Sequence, residues 1–224
     1  WGASTVRQLL MMSSGAYPTR MSLNGHPNVD MQQEMTRPIM GNNSDRLADI
    51  LRRHDVGVFQ SGTRFIYSNA DATALGLVLK GATGQEAAVL FAEIWDEVGA
   101  SNAGSWLLNS HGETVTYMGF AANPYDWIRL GLFVSERMKE DDCFGDYLKD
   151  ATSTQIDYQA FADNRDYGYQ FWTNCGIGFD AFCMVGAFGQ FLLINSEQEL
   201  ILYIHSVNQR WGGINHWGAF FFES

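Results

Sequence analysis

Hydrophobic positions recur at helical spacing through the first two thirds of the chain and gather into strand-like runs in the last third. Thr5 to Ser14 reads as a short helix, opened by the T-x-x-Q capping box of Thr5 and Gln8 and ended at Gly15. Residues 16 to 43, rich in Pro, Asn, Gly and Met with no steady period, read as a long loop. Ser44 to His54 carries Leu47, Ile50 and Leu51 on one face, a short amphipathic helix. Asn69 or Ser68 caps a helix running to Lys80, with Ala72, Leu75 and Leu79 on one side and Gly81 as its stop. Thr83 and Glu86 form a second capping box before a helix to about Trp95. Trp106 to Met118 predicts two short strands around a turn at Gly112. Asn123-Pro124 is an N-cap followed by proline at the first helical position. The helix it opens runs to about Met138, with Trp127, Leu130 and Val134 inward.

The last third holds "YGYQFWTN", "AFCMVG", "GQFLLIN" and "ELILYIHS", four strand-like segments with tight turns, "NSEQE" among them. "NHWGAFFFES" then places Trp217, Phe220 and Phe221 at helical spacing. Helices, an antiparallel meander and a final helix make an α+β pattern. The expected division is a mainly helical region over 1–160 and the C-terminal strands with a closing helix over 161–224, parts of one domain. No internal repeat is visible.

Composition narrows the function classes. The chain has 224 residues, 46% hydrophobic and 14% aromatic, enough to bury a core. Its net charge of −11 argues against nucleic acid or an anionic membrane as partner through a basic surface. No apolar run reaches the roughly 18 residues of a transmembrane helix. The three cysteines, Cys143, Cys175 and Cys183, make no framework; Cys175 and Cys183 can close a hairpin, but reduced thiols are the expectation. No spacing suggests a zinc site, and no metal or cofactor is expected. The start, "WGASTVRQLL", reads as the interior of a longer polypeptide.

The chemistry concentrates in "SGTRFIYSNADATALGLVLKGATG", Ser61 to Gly84, where Tyr67 and Asn69 stand two apart at a helix entry. From the residues alone, Tyr67 is a base or a packing aromatic, and Asn69 a substrate contact or a cap. With "TVRQLLMMSSG" before it and "YGYQFW…MVGAFGQFLLIN" after it, the segment resembles the serine β-lactamase-like superfamily. That superfamily includes class C β-lactamases, family VIII esterases, DD-peptidases and 6-aminohexanoate-dimer hydrolases. The last group is nearest, through Gly186-Ala187-Phe188-Gly189-Gln190. The resemblance covers most of the chain. It implies a β-lactamase/DD-peptidase-like fold and acyl transfer from a small-molecule ester or amide to a serine in an S-x-x-K motif. It also implies Tyr67 as base, Asn69 as substrate orienter, and Gly186, Ala187 and Gly189 as substrate-binding positions.

Two departures qualify it. Where the family has Lys-Thr-Gly or a His or Trp variant, this chain has Met184-Val185-Gly186, with no cation for a substrate carboxylate. The residues three before Lys80, Lys139 and Lys149 are Leu77, Glu136 and Asp146, so the chain contains no S-x-x-K. A serine hydrolase whose nucleophile lies outside the chain is one expectation. A non-catalytic scaffold of the same fold within a larger assembly is the other. A Ser/His/Asp site on His205 or His216 lacks a G-x-S-x-G elbow. Because the family sheet mixes N-terminal and C-terminal strands, a further polypeptide, the N-terminal part or a partner subunit, is expected to complete the fold beside the strand around Leu200 to His205.

Overall fold

The computed structural model describes residues 1–16, 45–53, 57, 59–157, 165–176 and 180–208. The expected closing helix, and all but the first residue of the expected loop over 16–43, lie outside them. The chain divides into two compact units, Trp1–Asp96 with Ala103–Ala121, and Glu97–Asn102 with Ala122–Ser224.

In the first unit, α1 is Val6–Leu10 and the Thr5–Gln8 capping box is formed in both directions. It is shorter than expected. Met12 takes a left-handed backbone, φ 52°, and the segment after it turns to lie alongside 59–62 instead, its Ser13 and Gly15 carbonyls accepting from the Gly62 and Phe59 N–H groups. Gly15 is required there: a Cβ would lie 2.2 Å from the Phe59 carbonyl oxygen. Helix α2, Leu47–Arg53, buries the expected Leu47, Ile50 and Leu51. The buried Glu113 carboxylate fixes its start, accepting from the Leu47 N–H at 2.9 Å and the Asn109 amide at 2.7 Å.

Helix α3, Asn69–Thr83, corrects two expectations. Gly81 does not stop it; the helix continues to a left-handed Gly84 whose N–H donates to the Lys80 carbonyl. Its buried face is also its first turn and a half, Ala70 to Ala74, while Leu79 is exposed. Leu9 of α1, Ile50 and Leu51 of α2, and Ala70 and Ala74 of α3 form one apolar cluster. Small alanines let the three helices meet closely there, which large side chains at the same positions would prevent.

The second expected capping box is absent. The Thr83 hydroxyl donates to the Leu79 carbonyl, and the Glu86 carboxylate pairs with Lys80 and accepts from the Thr114 N–H. Helix α4, Ala87–Glu97, instead carries Phe91 and Trp95 into an edge-to-face aromatic cluster with Trp106 and Phe120. The two strands expected over Trp106–Met118 reduce to isolated bridges, Leu108 with Thr114 and Ser105 with Ala121.

In the second unit, α5 is Pro124–Arg137, capped by the Asn123 side chain on the Tyr125 N–H as the sequence predicts. Asp126 is fully buried and gathers the Ser101 N–H and hydroxyl, the Asn102 N–H and Arg129. Helix α6, Cys143–Ala151, went unassigned in the sequence reading. Its signals are the Asp142 N-cap on Gly145 and apolar Phe144, Leu148 and Ala151 at i, i+4 and i+7.

The sheet is an antiparallel five-strand meander in the order β1-β2-β3-β4-β5. Its strands are Asp166–Tyr167, Trp172–Thr173, Phe182–Gly186, Gln190–Asn195 and Leu200–Ile204. "YGYQFWTN" is therefore a hairpin of two short strands, not one strand. Phe191 to Asn195 of β4 are buried without alternation, the mark of a central strand covered on both faces. Helix α5 packs on β4 and β5. The β4–β5 turn forms as expected, with the Asn195 side chain accepting from the Gln198 N–H at 2.7 Å.

Cys175 and Cys183 are joined by a disulfide, with Cα atoms 6.1 Å apart. This overturns the expectation of reduced thiols. The eight-residue spacing spans a hairpin whose ends the sheet already holds together, through the Cys175 N–H on the Ala181 carbonyl at 2.8 Å. Cys143 is free and exposed.

Candidate active site

Tyr67 is placed by the segment that precedes it. The Phe59, Gly62 and Ile66 N–H groups donate to the Gly15, Ser13 and Met12 carbonyls, so residues 59–66 run against the tail of α1 and deliver Tyr67 to the mouth of α3. There 37% of its surface is accessible, so it is not a closed-core aromatic. Burial of the phenol nonetheless raises its pKa above the ordinary tyrosine value. At neutral pH Tyr67 is a neutral phenol, and acting as a base would require a nearby ammonium to reverse that shift. The three lysines of the chain are each paired with a carboxylate: Lys80 with Glu86, Lys139 with Glu136 and Lys149 with Asp146.

The two residues after Tyr67 divide the roles the sequence left open. Ser68 is the N-cap of α3, but its hydroxyl makes no capping bond; it is buried without a hydrogen-bond partner among the described residues. Asn69 opens the helix, half-buried, and its main-chain carbonyl accepts from the Thr73 hydroxyl at 2.9 Å. Among the described residues its side-chain amide is not spent on a cap, which leaves donor and acceptor available to a ligand.

Asp71, two residues further along α3, is 1% exposed. It accepts from the Ser14 hydroxyl at 2.6 Å, the Ser14 N–H at 3.2 Å and the Trp1 indole at 3.0 Å. Burial outweighs these bonds and pushes its pKa up to about 6. It ties α3 to the segment after α1. Beside it lies a depression of about 520 Å³ whose walls include Trp1, Ser4, Gln8, Ser14, Phe59 and Ser61. Tyr67 is not part of its lining.

Gly186, Ala187 and Gly189 lie in the second unit, where β3 ends and a single 3₁₀ turn, Ala187–Gly189, leads into β4. Gly186 pairs with Gln190 across that turn. Phe188 within it has φ 62° and ψ 19°, a left-handed backbone for a bulky side chain. That conformation costs about 1–2 kcal/mol where glycine would cost little. The ring is 51% exposed, so it recovers only about half of the roughly 1.5–3 kcal/mol that burying a phenylalanine yields. Strain and burial therefore come close to cancelling. The Phe188 carbonyl accepts from the Asn208 N–H at 3.0 Å, fastening the turn to the chain after β5. Sequence reasoning passed over Phe188, since a left-handed phenylalanine has no sequence signature. Met184 and Val185, at the family's Lys-Thr position, are half-buried and uncharged.

The expected site residues thus form two groups, Tyr67 with Asn69 on the first unit and Gly186 with Ala187 and Gly189 on the second. His205 is exposed; its Nδ1 lies 3.1 Å from the Tyr203 hydroxyl, with no carboxylate in a triad arrangement among the described residues. Nor do the described residues hold a cluster of His, Cys, Asp and Glu fit for a metal ion, or a helix long and apolar enough to cross a membrane.

An α+β fold with a Tyr-Ser-Asn helix entry and a glycine-flanked turn after the third strand defines a class, and sequence comparison agrees with it. The chain matches the Beta-lactamase family over residues 1–211 and belongs to that family. No curated protein matches it. Among solved structures, a candidate 6-aminohexanoate-dimer hydrolase from Bacillus anthracis is similar at 20% identity and TM-score 0.76, over 96% of this chain and 58% of that one. The octameric penicillin-binding protein homologue from Pyrococcus abyssi follows at 16% identity and TM-score 0.70, over 93% and 52%. A D-stereospecific amidohydrolase from Streptomyces sp. gives 13% identity and TM-score 0.65, over 89% and 66%. At such identities the likeness is one of fold. The chain spans roughly half to two thirds of the length of these proteins.

Proposed function

We propose that this chain supplies part of the active site of a serine hydrolase that cleaves an ester or amide through an acyl-enzyme. The nucleophilic serine and its lysine come from a segment outside residues 1–224. Tyr67 exchanges the proton of the nucleophile and leaving group, Asn69 orients the substrate carbonyl or amide, and the Gly186–Gly189 turn lies along the substrate. The observation that carries this reading is the open placement of Tyr67 beside an Asn69 amide that no cap consumes. The raised pKa of Tyr67 fits the arrangement once an ammonium from the missing motif is added, because a cation beside a desolvated phenol restores phenolate character. Without a cation at Met184, substrates are small and neutral or cationic and do not include carboxylate-bearing β-lactams.

The test is labelling and turnover by the whole protein. A fluorophosphonate probe should label one serine, and a short-chain p-nitrophenyl ester should be hydrolysed faster than a penicillin. Tyr67→Phe should then lower kcat by roughly 10²–10⁴-fold. Absence of labelling and turnover in the whole protein would sink the reading.

A second reading keeps the fold and drops the chemistry: a non-catalytic subunit of a larger assembly. It is favoured by the carboxylate pairing of all three lysines and by the uncharged Met184-Val185-Gly186. One protein of similar fold, the penicillin-binding protein homologue from Pyrococcus abyssi, is octameric. The same labelling experiment separates the two.

A further inference from the structure

We propose that Asp71 is a positioning residue of the candidate site: through Ser14 it locks the first turn of α3 to the tail of α1 and so fixes the position of Tyr67. The inference rests on the reading of Tyr67 as the proton-transferring group. Asp71 lies in the first turn of α3, four residues after Tyr67. Its two oxygens receive three donors from outside the helix. Oδ1 accepts from the Ser14 hydroxyl at 2.6 Å and the Trp1 indole at 3.0 Å, and Oδ2 from the Ser14 N–H at 3.2 Å. Ser14, itself buried, also grips the lead-in to Tyr67, its carbonyl accepting from the Ser61 hydroxyl at 2.6 Å. Met12 holds the residues on either side of Tyr67. Its carbonyl accepts from the Ile66 N–H at 2.8 Å and its sulfur from the Ser68 N–H at 3.5 Å. Tyr67 therefore stands among fixed points at Ser61, Ile66, Ser68 and Asp71, all made by the short stretch Met12–Ser14.

Stability does not account for a carboxylate at this place. Burial outweighs the three bonds, as a pKa raised to about 6 records, so at neutral pH the ionised group weakens the folded state. A well-packed neutral side chain would join the same segments at lower cost. What the carboxylate alone supplies is two acceptor oxygens and no donor. An asparagine keeps one acceptor and turns its amide N–H groups toward the donors on the other side, among them a Ser14 N–H that cannot rotate away. The carboxylate thus holds α3 in one register against Ser14, and what that register delivers is geometry. A catalytic group works only near its productive position, and a displacement of about 1 Å costs up to about 10²-fold in rate.

The experiment uses the whole protein at pH 7.5, with Asp71→Asn and Ser14→Ala made alone, together, and each in a Tyr67→Phe background. Each variant is read as kcat for a short-chain p-nitrophenyl ester. Each with an intact Tyr67 is also read as the fluorine resonance of that residue in protein carrying 3-fluorotyrosine, assigned by its loss in Tyr67→Phe. Asp71→Asn and Ser14→Ala should each lower kcat about tenfold, and the pair together no further, because both break the same link. In the Tyr67→Phe background neither should change kcat more than about twofold, since no phenol is left to misplace. Damage to the fold would lower the rate in both backgrounds. The Tyr67 resonance should shift or broaden in both single variants while that of Tyr147, in the other unit, stays in place. Asp71→Asn, which keeps the shape, carries the test alone if Ser14→Ala does not fold. A full tenfold loss in the Tyr67→Phe background, kcat within about twofold of wild type in either folded single variant, or an unmoved Tyr67 resonance would each overturn the proposal. If the wild type hydrolyses no ester but the Tyr67 resonance moves in the variants, the positioning role stands and the hydrolase reading fails. If the wild type hydrolyses the ester, Tyr67→Phe slows it and Asp71→Asn matches the wild type, the reverse holds.

Discussion

Asp71 shows how much a single side chain decides in this fold. Its carboxyl is buried at the start of α3 and receives three hydrogen bonds, yet its pKa is pushed up to about 6. In the unfolded chain it titrates near the ordinary value, about 3.9. Between those values the folded state binds the extra proton, so stability from this group is full below about pH 4 and is lost as pH rises through 6. Two pKa units correspond to about 3 kcal/mol. Asp71→Asn removes the titration and keeps the shape. The stability of Asp71→Asn relative to wild type should therefore improve by up to about 3 kcal/mol between pH 4 and pH 7.5. Urea unfolding at the two pH values measures it, and a difference independent of pH would refute the assignment. Comparison with the variant is essential because Glu86, Asp126 and Asp142 titrate with the opposite sign. Their hydrogen bonds hold them below the usual carboxylate range, and their contributions fade as pH falls.

At the scale of elements, the hairpin that joins β2 to β3 is the least self-sufficient part of the sheet. Strand β2 is two residues long and pairs with β3 through Trp172 and Cys183. The Cys175–Cys183 disulfide closes a loop with a sequence separation of 8 across it. Chain entropy assigns such a loop about 2–3 kcal/mol of stabilisation. Replacing both cysteines by serine, or adding dithiothreitol, should lower stability by about that amount and loosen β1 and β2 before β4. Hydrogen exchange resolves the order: faster exchange at Trp172 and Cys183 with unchanged protection at Leu192 and Ile194 is expected. Uniform loss across the sheet would show that the hairpin is not a separate weak point.

For the whole molecule, the edge of the sheet is the exposed question. Strand β5 is the last in the order, with no strand beyond it among the described residues. It carries Leu200 exposed and Ile201 to Ile204 half-buried, an apolar strand with none of the charges or prolines that usually blunt an edge. We infer that another strand pairs with β5, from the N-terminal part of the same protein or from a partner subunit. Residues 1–224 expressed alone should then self-associate and unfold without a sharp transition. A soluble monomer with cooperative two-state unfolding would refute this. Co-expression with the pairing segment should restore both properties and protect the Leu200–Ile204 amides from exchange.

The sequence alone determined what rests on local rules. The Thr5–Gln8 capping box, the Asn123-Pro124 helix start, the inward face of α2 and the β4–β5 turn all depend on residues within a few positions of one another. The Tyr67-Ser68-Asn69 signature and its flanks were legible for the same reason, and they sufficed to indicate the family. What the sequence misassigned depends on distant partners. Glu86 was expected to cap its own helix, but Lys80 and the Thr114 N–H compete for its carboxylate. Gly81 was expected to stop α3, but a residue that merely lowers helix propensity does not end a helix that tertiary packing holds. Cys175 and Cys183 pair because the sheet brings them together, and the cost of closing that loop falls once β2 and β3 are in register. Asp71 carried no signal in the sequence; only the fold buries it against Ser14 and Trp1 and moves its pKa. The left-handed Phe188 was invisible for a related reason. Backbone strain is a balance struck among residues far apart in sequence, and composition holds no record of it.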